Sequence, residues 1–145
     1  MTCSNRYKKS TLRAYTDTTQ VVAPNGLIPF ANYKNTGCSI NLNGGTSVEF
    51  NKPGLYQVTF NGYVVESTAT GDIIVQLMSN GSKVNGAVAA ANSSTTTDLE
   101  NLSFSTIVDV APSCNCVDND VVLTVLNEGV AASFGNVNLT VVKLC

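Results

Sequence analysis

Residues 54–65 run Gly54-Leu55-Tyr56-Gln57-Val58-Thr59-Phe60-Asn61-Gly62-Tyr63-Val64-Val65. Tyr56, Val58, Phe60, Gly62 and Val64 fall on one side of this run, and Gln57, Thr59, Asn61 and Tyr63 on the other. That period of two belongs to an extended strand with one buried face. The preceding Asn51-Lys52-Pro53-Gly54 is a turn signal, and Gly54 permits a tight start. Further out the pattern repeats. Cys38, Ile40 and Leu42 alternate with polar neighbours up to the turn Asn43-Gly44-Gly45, and Val48 to Phe50 follow. Ile73 to Met78 reads as a strand closed by Asn80-Gly81, the favoured two-residue hairpin turn, with Lys83 and Val84 opening the return. Leu102, Phe104, Thr106 and Val108 alternate until the Ala-Pro-Ser-Cys-Asn-Cys break. Val121 to Leu126 is apolar on both faces, as a central strand requires, and Asn127-Glu128-Gly129 turns it. Asn138 to Leu144 closes the chain, with Leu139 and Val141 opposite Val142 and Leu144. Leu27, Ile28 and Phe30 surround Pro29, which suits an edge or an irregular strand start. Residues 86–97 are small and weakly patterned, and read as an exposed strand or a loop.

Eight to ten short strands with no helical period predict an all-β fold, a two-sheet antiparallel jelly-roll sandwich. Composition agrees. The 145 residues suffice for one core, the apolar share is 43% and the charged share only 12%, far from a disordered chain. Asn, Thr and Ser dominate the polar residues and disfavour long helices.

Charge divides the chain. Arg6, Lys8, Lys9 and Arg13 make half of the eight bases, whereas from Asp17 onward four bases face ten acids, a local charge of −6. Residues 1–20 are therefore expected to be a basic anchoring arm and residues 21–145 the sandwich domain. The basic segment Arg6 to Arg13 suits an acidic protein surface in a larger assembly; it is short, and its single interleaved aromatic, Tyr7, argues against nucleic acid.

Chemistry is scarce. With no His, neither a Ser-His-Asp arrangement nor a His-based metal site can be built. No acid sits inside an apolar run that would raise its pKa for catalysis. An enzyme, a cofactor and a metal are not expected. No apolar run approaches the roughly 20 residues of a membrane span, and no secretory leader is expected. The four Asn-x-Ser/Thr sites at Asn80, Asn92, Asn101 and Asn138 then carry no glycan. The five cysteines, Cys3, Cys38, Cys114, Cys116 and Cys145, are an odd set, so at least one is free or bonds another chain. Cys38 can pair with the loop of Cys114 and Cys116, or between chains, and terminal Cys3 and Cys145 are placed to reach a neighbouring subunit.

The stretch Val48 to Phe60, with its Gly-x-Tyr-x-Val-x-Phe element, resembles the central signature of the trimeric jelly rolls of the tumour necrosis factor and complement globular-head superfamily. It is most similar to the C-terminal domain of the collagen-like glycoprotein of the spore exosporium. The later IIVQLMSNGSKV, LSFSTIVDV, VVLTVLNEG and VNLTVVKL follow the remaining strands in order, from about residue 21 to 145. The resemblance implies a homotrimer, with Tyr56, Val58 and Phe60 filling the sandwich and apolar residues such as Tyr63, Val65, Ile74 and Phe104 available at the subunit contacts. No Gly-x-y collagen repeat is present and the basic stretch stands in its place. That departure points to the similar heads of bacteriophage decoration and head-fibre proteins, on a virion surface. The alternative is a carbohydrate- or receptor-binding adhesion module on a spore or virion, meeting a host-surface glycan.

Overall fold

The computed structural model describes residues 10–67, 70–93, 100–112 and 121–145. Among them lie eleven strands: β1 (Thr11–Thr16), β2 (Gln20–Val22), β3 (Asn32–Thr36), β4 (Ile40–Asn43), β5 (Ser47–Phe50), β6 (Gly54–Ser67), β7 (Gly71–Ser79), β8 (Ser82–Ser93), β9 (Glu100–Val110), β10 (Val122–Asn127) and β11 (Ala132–Lys143). One sheet has the order β3-β1-β11-β6-β9, with β2 also on β11, and the other the order β4-β5-β10-β7-β8. Every pairing is antiparallel.

The alternation of β6 is the reason the sheets stack. Tyr56, Val58, Phe60 and Val64 are fully buried, and they meet Leu12 of β1, Leu139 and Val141 of β11, and Val75, Leu77, Leu123 and Val125 of the opposite sheet in one core. Each such side chain contributes about 1.5–3 kcal/mol through burial. Phe60 stacks on Phe104 with ring centroids 5.3 Å apart, and Phe50 sits 4.4 Å from Tyr56. β10 is central in its sheet, as its apolar run requires. The Asn80-Gly81 turn has φ of 50° and 82°, the left-handed pair of a two-residue hairpin.

Two expectations need correction, and one is narrowed. The sandwich does not begin at residue 21: β1 lies between β3 and β11, with Leu12 and Ala14 fully buried. Two modest apolar residues among polar ones give a faint period, and only the partner strands make it a core strand. Of the two readings given for residues 86–97, the described part to Ser93 is the exposed strand: β8 pairs along β7 from Ser82 to Ser93 at the sheet edge. Phe104, expected at a subunit contact, is buried against Phe60.

Candidate functional site

The outer face of the β3-β1-β11-β6-β9 sheet is built by register. Asn32, Tyr15, Asn138, Asn61 and Ser103 form one row across its five strands, and Lys34, Arg13, Thr140, Thr59 and Ser105 form the next. A third row runs Thr36, Thr11, Val142, Gln57 and Ile107. Those of β1, β11, β6 and β9 are outward positions of strands whose inward positions make the core, and β3 extends the rows at the edge, so the face is a band rich in hydroxyls and amides. Several are tied together. Thr11 and Thr36 hydroxyls lie 2.7 Å apart, and those of Thr59 and Ser105 3.1 Å. The Arg13 guanidinium lies 4.8 Å from the centroid of the Tyr15 ring, a cation–π contact.

At the ends of the band the face turns apolar. Ile107 is 59% exposed, Val65 38% and Leu55 37%. Tyr63 is half-buried and its hydroxyl accepts a hydrogen bond from the Asn136 amide at 2.9 Å.

A bulge shapes the middle. The register of β11 on β6 slips between Gly135 and Asn138, and Asn136 takes φ 46°, a left-handed conformation that Asn tolerates. Gly135 is required beneath the Tyr63 ring, since a Cβ there would come within 2.7 Å of it. The bulge opens two shallow cavities. One of about 320 Å³ is bordered by Arg13, Tyr15, Asp17, Asn136 and Asn138. The other, of about 240 Å³, is bordered by Asn61, Tyr63, Asn101, Ser103 and Asn136. The side-chain oxygen of Asn138 is buried with no hydrogen-bond partner among the described residues. Such a face can donate and accept hydrogen bonds.

Of the residues singled out in sequence, Arg13 and Tyr63 lie on this face, while Tyr56, Val58, Phe60 and Phe104 lie in the core. Ile74 belongs to β7 in the other sheet. Arg6, Lys8, Lys9, Cys3, Cys114 and Cys116 lie outside the described residues. Cys38 is disulfide-bonded, and Cys145 is a free, exposed thiol. Tyr15, Asn136, Asn138 and Ser103 were not foreseen. Their outward parity was legible in part, but their neighbours come from strands far apart in the chain. Among the described residues no cluster of three or more His, Cys, Asp or Glu is placed to hold a metal, and no helix is long and apolar enough to cross a membrane.

No family model and no curated protein matches the sequence. Solved structures do. The PRD1 vertex protein P5 is 19% identical at TM-score 0.62, over 94% of this chain and 97% of that one. Eiger TNF from S. frugiperda is 15% identical at TM-score 0.69, over 94% of this chain and 92% of that one. The globular domain of zebrafish complement 1qA protein is 9% identical at TM-score 0.68, over 95% and 98%. With these likenesses running nearly the length of the chain, and with its six-stranded and five-stranded antiparallel sheets face to face, the protein is an all-β jelly roll of the tumour necrosis factor and complement globular-head fold.

Proposed function

We propose that the chain is a non-enzymatic structural protein of a bacteriophage particle, displayed on the virion surface as a homotrimer. In this reading the outer face of the β3-β1-β11-β6-β9 sheet turns toward the threefold axis, and the basic stretch containing Arg6, Lys8 and Lys9 anchors the head to a larger assembly. The observation that carries it is the end-to-end likeness to a virion vertex protein, which covers 94% of this chain and 97% of the other. The trimer draws further support from Leu55, Val65 and Ile107, apolar side chains on the sheet's outer face that a lone copy leaves wet,. Hydroxyls and amides without a His suit contact better than catalysis,.

The anchoring part is tested on gradient-purified particles assembled with the full chain or with a chain lacking residues 2–9. The shortened chain keeps β1 and is expected to fold and trimerise, yet to be lost from the particles. Undiminished incorporation of the shortened chain would contradict the anchor.

A further inference from the structure

Charge is spread unevenly over the strands. The acids of the described strands, Glu49, Glu66, Asp72, Glu100 and Asp109, all lie on β5, β6, β7 or β9. β1 and β3 carry one charged residue each, and both are bases. Arg13 and Lys34 are direct cross-strand partners and both are exposed, at the edge of the sheet that β3 forms. Like charges set opposite each other on adjacent strands repel. Neither base has a carboxylate to relieve it, since the ion pair among the described residues joins Lys83 to Glu128. Asp17 borders the same cavity as Arg13 and Tyr15 yet pairs with neither base. The Arg13 guanidinium turns instead to the Tyr15 ring, 4.8 Å from its centroid.

A repelling pair that the chain leaves unneutralised favours an anion brought from outside. Lys8 and Lys9 stand just ahead of β1 in the sequence, so the basic stretch proposed as the anchor leads directly into this edge. The class of anion follows from the surroundings. Arg13 already occupies a face of Tyr15, which leaves that ring poorly available to stack a nucleic-acid base. From Asp17 onward four bases stand against ten acids, a balance that repels a long polyanion. A short acidic segment avoids that penalty, because the acids of β6 and β9 lie beyond β11 in the same sheet. The planar Arg13 fork suits a carboxylate side-on, and Lys34 beside it supplies a second cation.

Building on the anchor reading, we infer that the Arg13–Lys34 edge of the folded head is itself part of the anchor, and that it seats a short run of Asp and Glu side chains displayed by the particle protein on which the head is mounted. The anchor then extends beyond the basic stretch ahead of β1, and the folded edge sets the orientation in which the head stands.

Co-sedimentation of the purified full chain with gradient-purified particles assembled without it tests this, using wild type, Lys34→Glu, Lys34→Arg and the chain lacking residues 2–9. Lys34→Glu gives Arg13 an opposite charge within its own sheet, and is expected to weaken binding about tenfold while its circular dichroism melt stays intact. Lys34→Arg should bind as wild type does. Added salt should weaken wild type more steeply than Lys34→Glu. Undiminished binding of Lys34→Glu overturns the edge, whatever the shortened chain does. A shortened chain that binds undiminished while Lys34→Glu is lost keeps the edge and removes the basic stretch from the anchor. Wild-type binding abolished by nuclease treatment of the particles overturns the acidic-protein partner.

Discussion

Tyr56 combines packing and polarity in one side chain. Its ring is fully buried, 4.4 Å from the Phe50 ring, and its hydroxyl donates to the Lys52 carbonyl at 2.6 Å. Burial pushes the phenol pKa above its ordinary value, with a hydrogen bond to Ser39 acting the other way. The folded state thus holds the neutral phenol, and the unfolded chain loses that proton first. Its contribution is fully present below about pH 10 and is lost as pH rises through the raised folded value. Tyr56→Phe is expected to lower stability by about 1 kcal/mol at neutral pH, a fall of about 2–4 °C in Tm. It should also remove part of the alkaline loss, so that melts of the two chains converge above about pH 10. A gap that stayed constant across that range would contradict this role. Other single residues hold the frame beneath the face. Asn127 is fully buried, donates to Val22 and Val130 carbonyls at 3.2 and 3.1 Å, and accepts from Gly129 N–H at 3.1 Å. Gly54 leaves room for the chain end, since a Cβ there would overlap the Cys145 carbonyl oxygen.

Among the strands, β1 separates what was legible from what was not. β6 declares itself because large residues alternate with polar ones over its length, and the β7–β8 hairpin does so through Asn80-Gly81. β1 offers only Leu12 and Ala14, and β3 has no buried residue. Their place follows from pairing: β1 matches β11 over six residues and β3 over five. The first half of β11 was hidden for a different reason, because Gly135 and Asn136 break its alternation at the bulge. β1 is thus part of the sandwich and not of the arm. A chain lacking residues 2–16 is expected to lose its cooperative thermal melt, with β3 parted from β11 and Leu12 and Ala14 gone from the core. The same circular dichroism measurement on a chain lacking residues 2–9 should show an intact melt. Equal melts for the two deletions would refute the placement of β1.

Taken as one body, the protein hides Tyr56, Phe60 and Phe104 in its own core and leaves on the outer face of that sheet mainly Thr, Ser, Asn, Tyr63 and a few apolar side chains. The fold class was readable because it depends on period two, which is local. The face was readable only as a parity, because which outward residue sits beside which depends on sheet order and on a slip in register. Resemblance supplied the expectation of apolar subunit contacts, and Phe104 shows where it misled: the stacked Phe60–Phe104 pair fills the sandwich, so of the apolar side chains Tyr63, Val65, Leu55 and Ile107 are what the outer face leaves for the proposed contact, beside the polar band. A contact of that composition depends more on matched hydrogen bonds than on buried area. Multi-angle light scattering of the purified full chain tests the trimer most directly. The expected particle has the mass of three 15.2 kDa chains, held on dilution; a homogeneous species of single-chain mass would contradict it.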